Sequence, residues 1–159
     1  MNAVIRKAKI TDYDGVCAVI EEGDRLHREY FPNLFQSSSD GVIRPPDYIS
    51  SLLVDPNACF LVAEQAGEIV GSLIVYIRET APLSILVPRR FGYIGELVVH
   101  HDHRRMGIGL AMMEYAEEWA RSNGAESVEL TVYSFNQGAV HFYEELGYKS
   151  ITQKMAKQL

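Results

Sequence analysis

The sequence predicts a mixed α/β fold, a sheet flanked by helices, and three observations carry that prediction. Several short stretches run apolar or alternate apolar with polar between turn residues, which is the mark of strands. Longer stretches repeat apolar residues every three or four positions, which is the mark of helices packed along one face. Between the two patterns lies GELVVHHDHRRMGIG, residues 95–109, an apolar strand that runs through a glycine-containing turn into a helix.

Residues 4–10 read as a first strand, and Thr11-Asp12 as a helix cap. The helix expected over residues 13–30 carries Val16, Val19, Ile20 and Leu26 on its apolar side, and Phe31-Pro32 ends it. Residues 36–41 form a polar loop, and Pro45-Pro46 opens a short helix through Leu53. Residues 58–63 and 69–77 flank Gln65-Ala66-Gly67, the pattern of an antiparallel hairpin. After a loop over residues 80–90, a strand is expected over 93–99. The helix after Gly107 sets Ile108, Met112, Tyr115 and Trp119 on one face and turns Glu114, Glu117, Glu118 and Arg121 to water, until Asn123-Gly124 stops it. Residues 127–133 alternate, with Val128, Leu130 and Val132 on one side. Asn136 opens a last helix along Ala139, Phe142, Tyr143 and Leu146; Gly147 ends it, and residues 148–152 read as a final strand.

The bulk numbers fit one domain over residues 1–159. Apolar residues make up 47% and charged residues 23%, an ordinary globular balance. Lys and Arg number 15 against 21 Asp and Glu, a net charge of −6 that argues against a nucleic-acid partner. Cys17 and Cys59 have neither metal-ligand spacing nor the density of a disulfide framework. The start, MNAVIRKAKI, lacks the apolar core of a leader, and no run is long enough to span a bilayer. The expectation is a soluble, cytoplasmic protein with no membrane partner.

A strand that ends in a glycine turn at a helix N-terminus leaves several N–H groups pointing one way, at the positive end of the helix dipole. Arg104-Arg105-Met106-Gly107-Ile108-Gly109 therefore reads as an anion cradle. A second constellation follows downstream: Asn136-x-x-Ala139-x-x-Phe142-Tyr143-x-x-x-Gly147-Tyr148. Together these residues resemble the GNAT superfamily of N-acetyltransferases, which move an acetyl group from acetyl-CoA to an amine. The first segment matches that family's Q/R-x-x-G-x-G/A pyrophosphate loop, and the second its C-terminal motif. The resemblance implies a splayed, mostly antiparallel mixed sheet of six to seven strands with about four helices. It implies pantetheine lying in the splay against Leu97, Val98 and Val99, pyrophosphate on the N–H groups of residues 104–109, and Asn136 on a pantetheine amide. By the same token a homodimer is possible.

Acetyl transfer from a thioester needs a neutral amine, a polarised carbonyl and a protonated leaving thiolate. An alkylamine with a pKa near ~10.4 is mostly charged at neutral pH, so a base is needed. Glu96, on the strand beside the expected thioester, is the candidate base, and Tyr143, a phenol that stays protonated, the candidate acid. Tyr143 is also assigned to the donor site. A backbone N–H near Val98 or Val99 would polarise the carbonyl. His100, His101, Asp102 and His103 suggest a metal, but adjacent side chains on an extended segment point apart, so no metal is expected. His27 and His141 read as surface or boundary residues. The acceptor is expected between residues 24–35 and 80–90, where Glu21, Glu22, Asp24 and Glu29 could attract a small cationic amine. Two alternatives remain: a non-catalytic CoA- or acyl-CoA-binding module, and a metal-dependent hydrolase built on His100 to His103.

Overall fold

A computed structural model describes residues 3–159; the first two residues of the stretch inspected for a leader lie outside it. Five strands and four helices follow one another as β1 (Val4–Lys7), α1 (Tyr13–Tyr30), α2 (Pro46–Val54), β2 (Ala58–Gln65), β3 (Glu68–Glu79), β4 (Arg90–Val99), α3 (Ile108–Ser122), β5 (Ser127–Leu130) and α4 (Gln137–Glu145). The strands lie in sequence order in one sheet. Every neighbouring pair is antiparallel except β4 and β5, which are parallel across the α3 crossover. The β2–β3 hairpin closes on Ala66 and Gly67, both at positive φ (53° and 85°), the primed turn that matches strand twist. Among the described residues, no helix is long and apolar enough to cross a membrane.

Both faces of the sheet are covered, so β2 and β3 read as nearly continuous apolar runs. On one face, Leu61, Ala63, Leu73, Val75 and Ile94 pack against Met112, Met113 and Ala116 of α3. On the other, Phe60, Val62 and Ile74 pack against Val16 and Ile20 of α1 and Ile49 and Leu52 of α2. The buried face of α3 differs from the expected one. Met113, Ala116 and Ala120 are buried, whereas Tyr115 is exposed and Trp119 half-buried. Small alanines let the helix lie close to the sheet, which the larger aromatic rings would prevent. Glu117, expected to face water, accepts a hydrogen bond from the Tyr148 hydroxyl at 2.8 Å.

Three further expectations are corrected. Asp12 stands at the N-terminus of α1 but does not cap it; its carboxylate accepts from both Nη atoms of Arg6 at 2.8 Å and from the Lys9 N–H at 2.7 Å. The strand expected over 127–133 stops at Leu130. Beyond it, Tyr133 and Phe135 turn into an aromatic cluster with His27, Tyr30, Phe31 and Phe35. Tyr30 stacks on Phe135 with centroids 4.2 Å apart. The final strand over 148–152 does not form: Ile151 is 75% exposed, so the segment has no buried face to hold it. The sheet therefore has five strands rather than six to seven.

The feature that positions the site is a bulge in β4. Ile74 pairs with Glu96 and Val75 with Ile94, so Gly95 is the extra residue. A Cβ on Gly95 would lie 2.6 Å from Cε2 of Tyr76. Pairing with β5 ends one residue earlier, at Ile94 and Leu130, and from there β4 runs on with one edge open. Gly95→Ala is expected to destabilise the fold by about 1–3 kcal/mol through overpacking. The cost should shrink when Tyr76 is also truncated to Ala. Urea unfolding of the two single variants and the double variant measures both.

Candidate active site

The open edge of β4 carries alternating peptide groups. His100 donates its N–H to Val70 O at 2.9 Å, and the register runs Gly71–Val99, Ser72–Val98, Leu73–Leu97. In an antiparallel ladder the direction of the peptide groups alternates, so those of Glu96 and Val98 face β3 and those of Leu97 and Val99 face the gap. The Val98 side chain instead packs on α1, where a Cβ on Gly23 would come within 3.0 Å of it. Of the rail residues named from sequence, Leu97 and the Val99 N–H thus offer backbone groups to the gap, whereas the Val99 carbonyl is taken by Arg104 Nε and the groups of Val98 are turned to β3.

The turn after β4 has the backbone the glycines foretold. Arg105 (φ 60°) and Gly107 (φ 78°) are left-handed, and Gly107 is the N-cap of α3 without a side-chain cap. Ala111 makes the first helical bond, to Gly107 O at 3.0 Å. Among the described residues, the N–H groups of residues 105–110 donate to no protein acceptor. That row, at the head of a 15-residue helix, has the free donors and the dipole end that an anion would use. The Arg104 guanidinium does not point freely at it: its Nε donates to Val99 O at 2.9 Å, and its Nη2 pairs with Glu22 at 2.7 Å. Met106 is exposed, and Ile108 is buried beneath the turn. A Cβ on Gly109 would lie 3.3 Å from Phe142, which fixes α4 beside the head of α3.

Asn136 is the N-cap of α4, its Oδ1 accepting from the Ala139 N–H at 3.2 Å. Its side-chain nitrogen makes no protein hydrogen bond among the described residues. Two turns further, Tyr143 packs on the same core cluster as Leu97, Val99 and Ile108, with ring contacts to Phe142 and Tyr148. Burial pushes its phenol up to about 12. It holds its proton across the neutral range.

On the other side of β4, Glu96 meets two residues from α1 and the following loop. Arg44 Nη2 lies 3.2 Å from Glu96 Oε2, and Arg44 Nη1 lies 2.7 Å from Asp24 Oδ2. The Tyr13 hydroxyl donates to Arg44 O at 2.6 Å and fixes that stretch of loop. The second carboxylate oxygen of Glu96 and Ser72 Oγ are both buried. Burial raises the Glu96 carboxyl; Arg44 lowers it, Asp24 raises it, interaction with the Ser72 hydroxyl helps to lower it, and the balance stays above the usual carboxylate range. A raised carboxyl is a better proton acceptor near neutrality. Arg44 and Asp24, but not Glu96, also line a polar cavity of about 220 Å³ with Glu21, Arg28, Ser37 and Ser38, among others.

An open strand edge, a free row of helix-head amides and a largely buried carboxylate stand together. The model of the acetyltransferase (GNAT) family matches residues 20–148. The chain belongs to the GNAT acetyltransferase family. It is 31% identical over 155 residues to the aminoalkylphosphonate N-acetyltransferase of Salmonella typhimurium, covering 98% of this chain and 90% of that one. It is 28% identical over 152 residues to an N-alpha-acetyltransferase of Sulfurisphaera tokodaii, covering 92% and 80%. The solved structure of a BH1408 variant from Bacillus halodurans superposes with a TM-score of 0.90 at 25% identity, covering 98% of this chain and 99% of that one. This GNAT protein is an N-acetyltransferase, which sets aside the hydrolase reading of the histidines.

The acetyltransferase's acidic helix face is not simply solvated. Glu21 pairs with Arg28, Asp24 with Arg44, and Glu22 with Arg104 and His101. Burial raises the Glu22 carboxyl, but the His101 hydrogen bonds and the Arg104 charge hold it below its usual value. The expectation that His100 and His101 point apart fails. A 3₁₀ turn over His101–His103 folds the chain, and the two rings stack with centroids 4.5 Å apart. His103 bonds Gln65 Oε1 at 2.9 Å, and its ring meets that of His100 edge-on with centroids 5.6 Å apart. His27 is half-buried in the aromatic cluster and His141 is exposed, pairing with Glu145 at 3.3 Å. Arg44 is the residue sequence reasoning missed. It is a lone arginine in a polar loop, and its partners lie 20 and 52 positions away.

Arg44→Gln should raise the Glu96 carboxyl further, and Asp24→Asn should lower it. Carbon-13 NMR titration of the Glu96 carboxyl reads both shifts. Two shifts in the same direction would contradict the assigned charges.

Proposed function

We propose that this protein transfers the acetyl group of acetyl-CoA to the primary amine of a small acceptor. The observation that carries the reading is the open edge of β4 beyond Gly95. It runs straight into the unpartnered amides of residues 105–110, with Tyr143 packed alongside. A thioester donor with an extended amide-bearing arm and a pyrophosphate has the shape and charge for that edge and that turn. Leu97 and Val99 would bond the arm, and Arg105, Met106, Gly107, Ile108 and Gly109 would hold the pyrophosphate. Asn136 would offer its amide nitrogen to the arm.

Glu96, lifted by burial, takes a proton from the acceptor ammonium, directly or through water, and frees the nitrogen lone pair. That nitrogen forms a C–N bond to the thioester carbonyl carbon. A gap-facing N–H, from Leu97 or Val99, stabilises the oxyanion. As the carbonyl re-forms, the nitrogen releases its second proton to solvent, the C–S bond breaks, and Tyr143 gives its proton to the departing thiolate. Solvent returns a proton to Tyr143, and Glu96 loses its own. The transfer balances without a metal. The cavity beside Asp24 and Arg44, of about 220 Å³, suits a small acceptor. The relative that acts on aminoalkylphosphonates covers 98% of this chain, so that class leads the acceptors to test.

Three outcomes are expected. Thiol release from acetyl-CoA with a panel of amines, aminoalkylphosphonates included, should identify an acceptor; binding of acetyl-CoA without turnover on any amine would leave only a binding module. Tyr143→Phe should lower kcat by about 10²–10³-fold with acetyl-CoA affinity nearly unchanged, and Gly107→Val should do the reverse, weakening acetyl-CoA in a calorimetric titration. With Glu96 raised, kcat/KM should climb with pH through a midpoint above the ordinary carboxylate range, and Glu96→Gln should abolish that limb.

A further inference from the structure

We propose that Glu22, His100 and His101 form a binding site for one divalent transition-metal ion, of the zinc or nickel type, beside the anion turn. The three side chains come from α1 and from the 3₁₀ turn after β4. One donor atom from each lies within 4.8 Å of the others. Glu22 Oε2 is 3.1 Å from His101 Nδ1 and 3.7 Å from His100 Nε2. Bonds of about 2.0–2.2 Å in a tetrahedral shell put ligand atoms about 3.4 Å apart, and these two separations bracket that edge. Imidazole and carboxylate donors together suit zinc, nickel and cobalt more than magnesium or calcium.

The outer nitrogens support the same reading. His101 Nε2 lies 3.1 Å from Asp102 Oδ1, and His100 Nδ1 lies 3.9 Å from Asp102 Oδ2. His101 therefore turns one nitrogen to Glu22 and the other to the carboxylate of Asp102, whereas His100 Nδ1 accepts the Asp102 backbone N–H at 3.3 Å. For His101 this is the carboxylate–histidine–metal arrangement that orients a ligating ring and keeps the proton on the outer nitrogen; the Asp102 N–H orients the His100 ring instead. Arg104 Nη2 holds the remaining Glu22 oxygen, Oε1, at 2.7 Å, which leaves Oε2 to face the histidines. The rings are 36% and 59% exposed, so an ion can reach them and water can complete the shell. Binding displaces any proton from the inner imidazole nitrogens and changes no oxidation state.

An ion here would stand beside the turn, since His101 lies three residues before Arg104, which both pairs with Glu22 and begins the 104–109 segment. Glu22, Asp102 and Arg104 sum to one negative charge when the histidines are neutral. A divalent ion would make the patch positive beside the proposed pyrophosphate site. That consequence rests on the donor reading above; the binding itself does not.

The test uses the full chain without acetyl-CoA, so its failure leaves the donor reading untouched. Zn²⁺ titrated into metal-free protein should bind one ion per chain with micromolar affinity or better, and Co²⁺ should give intense visible bands of low coordination number. His100→Ala with His101→Ala should weaken binding at least about 100-fold, and Asp102→Asn about 10–100-fold. His103→Ala, whose ring bonds Gln65, should leave it unchanged. Binding that survives loss of both histidines, falls equally with His103→Ala, or never saturates would overturn the site.

Discussion

The contact between residue 95 and the ring of Tyr76 sets the shape of the sheet, and the site follows from that shape. Only a glycine fits, because a Cβ would stand 2.6 Å from the ring. With glycine there, β4 accommodates an extra residue against β3 and bends. The bend falls where β5 leaves the sheet, drawn off by Tyr133 and Phe135 toward the aromatic end of α1. What remains is a strand with one edge paired and the other open. A backbone edge in a protein interior normally costs unsatisfied polar groups. Here it leads directly to a second set of unsatisfied amides, those at the head of α3. A proposed donor that carries both amides and pyrophosphate satisfies the two together.

The charged residues of α1 form the other half of the arrangement. Glu22 and Asp24 lie on one helix but serve opposite sides of β4. Glu22 reaches the turn and its histidines, and Asp24 reaches Arg44 and, through it, Glu96. Arg44 is thus a bridge between two carboxylates, one half-exposed and one nearly buried. The buried carboxyl stays raised because burial outweighs the bridge. Tyr143, across the strand, is raised by burial alone. The proposed base and acid are both displaced upward, which suits a carboxylate proposed to accept a proton and a phenol proposed to keep one until the thiolate leaves.

Much of this was legible in the chain. The α1 bounds, the hairpin on Ala66 and Gly67, and the left-handed Gly107 follow from local chemistry, because helix periodicity and turn sterics act over a few residues. The Asn136 cap was legible for the same reason. The misses are tertiary. The alternation of 127–133 promised a strand, but rings from α1 compete for Tyr133. Residues 148–152 looked like a strand and found no face to bury. Arg44 carried no local signal, because its meaning lies in partners on α1 and β4. The histidine pair was misread because alternation holds on a strand and the chain had already left it for a 3₁₀ turn.

The central claim is that the open edge of β4 and the head of α3 together receive acetyl-CoA. Amide hydrogen exchange, resolved to single residues and measured with and without acetyl-CoA, tests it most directly. The account predicts new protection at Leu97, Val99 and the amides of residues 105–110, and little change at Glu96 and Val98, already turned to β3. Protection that appears elsewhere while those amides exchange as freely as before would contradict it.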